Sequence, residues 1–484
     1  MYSKVRYFCA RLLPQFFGNK ITLCDFRSCC RSTFAISTVM KSTFFAAGLL
    51  FASFLLSCGT TSYRSTPGAT APKSPTPVKQ AETSQPELPT QGTNPTNPPG
   101  ANEKSGGVGK RPVYRLAVVL PFLTDQSDPA AGSPSSKSEL AAQFYGGMQL
   151  AFESMSILAA DYPSLTVDVL DSKGTEAGFD QLFSNPRLGQ ADVIIGPTKN
   201  AQISKMAEWA KARRKIVVSP QSPSIDLVQS FTGFVQLNPS LKTHCARMVQ
   251  YLRKEKYFGS DQLVLVGKEK EADRFAYFQE MNSAISGAKL QEIILPDNSP
   301  NFEKIDFGKY CRPGKTTAFL MPSWAGQDWI VAFLSRLKKT KGSNSVEVYG
   351  MPQWLEYAQI EAELLRELNV HLTSASFIDR KETEVATFER AFYNKFGTLP
   401  EEDAFNGWDT AFFVASMLQQ YGLSFPEKAS ANPTFFPTFR GGIYLRRNQT
   451  TSASVETEAP ASYQYAENIL VHILRFDQYD YIKI

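Results

Sequence analysis

Two short polar clusters each close an apolar run. Thr198-Lys199-Asn200 follow Gly196-Pro197 at the end of "ADVIIGP", and Ser219, Gln221, Ser222 and Ser224 lie in and after the run "KIVVSP". Hydroxyl, amide and ammonium groups at a strand end are what a carboxylate or a sugar needs, because the helix that follows offers unpaired N–H groups and a field that favours anions. The same residue types are also ordinary turn and cap formers, so both readings stand at each position. Further along, Lys268, Ser323, Trp324, Gln353 and Trp354 occupy comparable strand ends. The two tryptophans suit stacking on a planar or sugar-like ligand, and equally suit covering the base of a lobe. Asp409, in "NGWDTAFF", is either a ligand contact or a residue that starts a helix or joins two lobes.

A catalytic set does not emerge. His244 and His371 lie inside periodic segments, and His472 alternates with apolar residues in "ILVHILRF". None stands beside a Ser or Cys in a nucleophile-like setting, and neither G-x-S-x-G nor H-E-x-x-H occurs. Asp171 in "LDSKGTEAG" is an acid at a strand end without a second acid for proton transfer. The first strand, "VVLPFLTDQS", lacks the glycines of a dinucleotide loop. The expectation is therefore a binding protein that is not an enzyme, with no cofactor and no metal.

The N-terminal region reads as a leader. Met40-Lys41 precede "FFAAGLLFASFLLS", a run of about 15 apolar residues that is short of the ~20 needed to cross a hydrocarbon core. Leu55-Leu56-Ser57 before Cys58 resembles the lipobox of bacterial lipoproteins. That resemblance implies cleavage before Cys58 and acylation of its thiol, and Gly59 after it implies the outer membrane. Residues 1–57 are expected to be leader, with the start at Met40, a signal peptide over 40–57 and an upstream stretch that suits neither a signal nor a domain. They hold seven Lys or Arg and one Asp; removing this +6 from the whole-chain +5 leaves −1. No basic surface then remains for nucleic acid. Of seven cysteines only Cys245 and Cys311 lie in the folded part, and their pairing stays open. Residues 58–111 are almost free of aliphatic side chains and are expected to be a disordered tether, which as a coil spans about 40 Å.

From Pro112 onward, apolar strands alternate with helices: "RLAVVLPF", "LTVDVL", "ADVIIGP", "KIVVSP" and "GFVQLNP", then again "QLVLVG", "KLQEIIL", "TAFLMP", "SVEVYG" and "NVHLTSASF". Strands that are apolar throughout, separated by helices, indicate parallel sheets covered on both faces. Two rounds of the same plan make two Rossmann-like lobes.

In its opening strand, "VIIGP", "IVVSPQSPS" and "FNGWDTAFFVASML", the chain resembles the type I periplasmic binding proteins of the leucine-binding branch over nearly all of 112–484. The resemblance implies an α/β fold with three crossovers and a ligand cleft. The crossings are expected near Asn238-Pro239, at Ser374 to Phe377, and after Thr438. Lobe one is then 112–239 plus about 376–438, and lobe two about 240–375 plus 439–484. The resemblance also implies that the loops bearing Thr198 to Asn200 and Ser219 to Ser222 hold a ligand's α-carboxylate, although Gln221 and Pro223 break the usual pair of hydroxyls. Two partner classes follow. One is a small polar, amino-acid or peptide-like ligand. The other is a cell-envelope protein, since the domain also resembles the carboxyl-terminal domain of lipoproteins that activate penicillin-binding proteins.

Overall fold

The computed structural model describes residues 110–124, 136–157, 162–224, 227–228, 230–286, 288–297, 302–449 and 463–484. The leader, Cys58, nearly all of the tether and the loop 125–135 lie outside these residues.

Lobe one opens with β1 (Val113–Leu120), buried from Leu116 onward. Along it Leu116, Val118 and Leu120 face one core while Ala117 and Val119 face another, the period of two expected of a strand covered on both sides. β2 (Ser164–Asp171) and β3 (Val193–Ile195) flank it in parallel, followed by β4 (Ile216–Ser219) and β5 (Phe234–Gln236). The connecting helices are α1 (Ser136–Ile157), α2 (Glu176–Asp180), α3 (Pro186–Gln190) and α4 (Asn200–Lys211).

Lobe two repeats the plan. α5 (Leu241–Gln250), α6 (Phe275–Ser286), α7 (Gln327–Thr340) and α8 (Ala362–Glu367) accompany β6 (Leu263–Lys268), β7 (Gln291–Leu295), β8 (Thr317–Leu320), β9 (Val346–Gly350) and β10 (Val370–Ser374). Cys245 and Cys311 are both free, buried thiols in its core.

The chain then returns to lobe one as α9 (Thr383–Phe396), α10 (Glu402–Tyr421), α11 (Phe425–Ala431), β11 (Leu445–Gln449) and β12 (Tyr463–Asn468), and ends in lobe two as β13 (His472–Asp477) and β14 (Asp480–Lys483). The sheets run β11-β12-β5-β4-β3-β1-β2 and β14-β13-β10-β9-β8-β6-β7. β12 is parallel to β5, whereas β13 is antiparallel to β10.

α1 and α10 cross with backbones in contact. A Cβ on Gly407 would overlap the Phe144 carbonyl, and one on Gly147 would overlap that of Ala404. Phe144, Met148, Phe405 and Phe412 pack around this crossing.

The chain passes between sheets at 237–240, 375–382 and 469–471. The third passage corrects the expected boundary after Thr438: β11 and β12 complete the lobe-one sheet, so residues 439–468 do not belong to lobe two. "ENILVHILRF" reads as one strand, yet Ile469 to Val471 cut it, with β12 on one side and β13 on the other. No Gly or Pro marks the break. Asn468 makes it instead, its amide Nδ2 donating to the Leu237 carbonyl (3.0 Å) while its Oδ1 accepts from Tyr444 N and Leu470 N. Beside it the Glu467 carboxylate accepts from Ser240 N (2.9 Å) and Thr243 Oγ1 (2.7 Å) at the start of α5, where the helix field favours a negative charge. A lobe-one strand is thereby pinned to the first helix of lobe two.

Candidate functional site

In each sheet the first strand lies inside and the second at the edge, so the chain order reverses between β1 and β3 and between β6 and β8. Crevices beyond the carboxyl ends of strands at such switch points are where open α/β sheets hold ligands. Lobe one has a pocket of about 590 Å³ at that place. Leu120, Pro121 and Leu123 line it from the end of β1, Gly174 from the end of β2, Thr198 and Lys199 after β3, and Gln221 after β4. Lys137, Leu140 and Ala141 close it from the first turns of α1.

The lip is held by one carboxylate. Asp171 Oδ1 accepts from Leu123 N (3.1 Å) and Lys173 N (2.9 Å), and its Oδ2 accepts from Thr124 N (2.9 Å) and Thr124 Oγ1 (2.8 Å). Lys173 Nζ stands 3.3 Å from the same oxygen. Burial alone would push this carboxyl up, but the hydrogen bonds from Thr124, Lys173 and Leu123 outweigh it and bring the pKa down to about 2. Leu123 and Lys173 both have positive φ, at 54° and 58°, a conformation costly for residues with a Cβ. Asp171 bonds both of their N–H groups and so holds the strained turn.

Lys199 is the N-cap of α4, and no side chain caps that helix, which leaves its first N–H groups available to a ligand. Its ammonium reaches the Gly174 carbonyl at 3.2 Å. Gln221 is part of the wall and is steadied from behind, its Nε2 donating to Asp403 Oδ1 at 2.6 Å. Burial raises the pKa of Asp403, an effect that this bond opposes.

The structure separates the remaining candidates by what their polar atoms already touch. Asn200 binds Ser224 Oγ (2.7 Å) and accepts from Ser222 Oγ (2.8 Å), so these three tie the β4 loop to α4 and do not line the pocket. Ser219 is fully buried, and its Oγ has no partner among the described residues. Lys268 is buried in lobe two, with its ammonium on the Ala325 carbonyl and 5.3 Å from the Trp329 ring. Ser323 Oγ donates to Glu271 at 2.6 Å. Gln353 keeps one buried oxygen without a partner. Trp324 is partly buried, edge-on to His244 at 6.4 Å.

Two candidates are corrected. Trp354 is 2% exposed, its Nε1 donates to the Ser323 carbonyl (3.0 Å) and its ring lies where a side chain on Gly350 would stand. It is part of the lobe-two core, with no face for a ligand to stack on. Asp409 is also buried, and its two oxygens accept from Phe439 N (2.9 Å) and Arg440 N (3.0 Å), which binds the loop before β11 to α10. Burial pushes its pKa up to about 6 against those bonds. Lys137, Gly174 and the aliphatic residues of the pocket were not among the sequence candidates. Lys137 carries a recognisable signal, a cation beside a helix start in "SPSSKSEL".

Among the described residues no group of three or more His, Cys, Asp or Glu has the placement of a metal site, and no helix is long and apolar enough to cross a membrane. The three histidines are all buried, and none lines the pocket.

Comparison with solved structures bears on the fold. A candidate branched-chain amino acid ABC transporter protein from Rhodospirillum rubrum matches with a TM-score of 0.56 at 13% identity, covering 77% of this chain and 100% of that one. The fold is that of the type I periplasmic binding proteins. An ABC transporter substrate-binding protein from Desulfitobacterium hafniense in complex with Leu matches with a TM-score of 0.50 at 15% identity, again over 77% of this chain and all of the other. No family model matches the chain, and no curated protein matches it. At such identity the type I likeness concerns the fold, and the pocket must be read from its own residues.

Proposed function

We propose that the protein is a lipid-anchored, extracytoplasmic solute-binding protein whose lobe-one pocket takes the anionic end of a small polar ligand of amino-acid or peptide type. The observation that carries this reading is the company kept in that pocket: Lys137 and Lys199 stand with Thr198 and Gln221 at the uncapped start of α4, and among the described residues no carboxylate lines it. A ligand carboxylate there would gain two ammonium groups, a hydroxyl and helix N–H donors, while Leu120, Leu123 and Leu140 accept an apolar portion. The solved Desulfitobacterium protein of the same fold holds Leu, which suits this ligand class. Cys58 would carry the anchor, with the outer membrane as its place.

The test is a thermal-shift screen of the full chain against amino acids, small peptides, nucleosides, sugars and muropeptides, followed by calorimetry. A ligand that binds only the folded state raises Tm. Replacing Lys199 and Thr198 by Ala together should weaken a hit about 10- to 100-fold, the size expected for losing one or two charge-assisted hydrogen bonds. A folded protein that responds to nothing in the panel would refute the reading. It would favour the second partner class, a cell-envelope protein served by a scaffold or regulator of wall synthesis, to be sought by crosslinking in the envelope.

A further inference from the structure

A second cavity, of about 360 Å³, opens beside α10 where the second interlobe passage meets the loop before β11. Trp408, Phe435 and Phe439 are among its lining residues; Asp409 also lines it with its two oxygens already taken by Phe439 N and Arg440 N, and Asp379, Glu382 and Glu384 supply carboxylates. None of these three acids forms an ion pair among the described residues. Among the described residues the one cation in the lining is Lys483, which comes from β14 of lobe two.

The aromatic rings are set by packing. Trp408 and Phe439 lie 5.8 Å apart, each against Phe388 at 5.4 and 5.2 Å, so the wall is rigid. Phe435 is 37% exposed and lies over Gly442, where a Cβ would collide with its ring. Acids in the first turn of a helix suit its field, which accounts for Glu384 on α9 by itself. It does not account for their meeting an exposed aromatic surface in a cavity large enough for a small molecule. Aromatic faces attract cations, and carboxylates at the rim complement the same charge. From this charge and ring complementarity we infer that the cavity is a binding site for a small organic cation of the aryl- or alkylammonium class. It is separate from the lobe-one pocket and independent of the function proposed for it.

Calorimetric titration of the full chain with benzyltrimethylammonium, with benzyl alcohol as the neutral comparison, tests the site. The expected result is saturable binding of the cation at least tenfold tighter than of the alcohol. The triple variant Asp379→Asn, Glu382→Gln and Glu384→Gln, which alters only partly or fully exposed side chains, should remove that tenfold preference. Phe435→Ala should weaken the cation by a similar factor, and Lys199→Ala should leave it unchanged. Absence of saturable binding, equal affinity for cation and alcohol, or indifference to the triple variant would overturn the inference. Tighter cation binding in Lys199→Ala would overturn it too, by placing the cation beside the ammonium groups of the lobe-one pocket. Since the readout needs no native solute, it stands whether or not the amino-acid screen succeeds.

Discussion

Replacing Asp171 by Asn isolates the force that shapes the pocket lip. The native carboxylate accepts from Leu123 N, Thr124 N, Thr124 Oγ1 and Lys173 N, and pairs with the Lys173 ammonium. Asn keeps the shape but places an NH2 group against donors on one side. The carboxyl pKa falls from 3.8 to about 2, which at 1.36 kcal/mol per unit corresponds to at most about 2.5 kcal/mol of preference for the charged form. The lip borders solvent, so screening trims this to roughly 1–2 kcal/mol. The sign follows from the lowered value: the contribution is complete above the unfolded pKa near 4 and is lost as pH falls through about 2. Urea unfolding of both proteins should therefore show a stability gap of about 1–2 kcal/mol at pH 6 that narrows to about half by pH 3. Ligand affinity should fall as well, because Leu123 lines the pocket and relies on the carboxylate for its positive φ. A gap that stays constant between pH 6 and pH 3, or a variant as stable as the native chain, would refute the assignment of the lip to this charge.

Other outcomes follow from the packing. Gly407→Ala drives a methyl into the Phe144 carbonyl and should cost about 2–3 kcal/mol or more, seen as a lower Tm. Trp354→Phe removes a buried hydrogen bond and part of the lobe-two core, so it should lower Tm while leaving ligand affinity within about twofold. The Cys245 thiol, with its pKa raised by burial, should resist a thiol reagent until urea unfolds lobe two. Burial also lowers the pKa of His244 to about 3 and those of His371 and His472 to about 4. Lowered histidine values stabilise fully above pH 6.5 and lose that contribution as pH falls toward 4, so melting temperature should drop steadily across that interval.

The strand and helix plan was legible because the central strands of both sheets are parallel and covered twice, which writes continuous apolar runs such as "ADVIIGP" and "TAFLMP" into the chain. Thr198, Lys199 and Gln221 could be found because polar residues directly after such runs have few places to go. Trp354 could not be placed by its neighbours in sequence, because the direction of its ring depends on the space left by Gly350. Asp409 looks like any helix acid until Phe439 and Arg440, thirty residues away, bring their N–H groups to it. The third passage was hidden for a related reason: "ENILVHILRF" carries one unbroken apolar rhythm, and the break is made by Asn468 bonding to Leu237.

The late placement of that passage has a consequence for assembly. β12 lies between β5 and β11, and β13 lies between β10 and β14, so each sheet gains its last pair of strands from the final 40 residues of the chain. The partner strands β5 and β12 are separated by more than 200 residues. A chain synthesised amino end first would show β5 and β10 as open edges until its last segment arrived, and long-range pairing of this kind is slow. The nascent polypeptide would need shielding at two edges until its last segment was made, and a cut between β11 and β12 would leave both sheets unfinished at once.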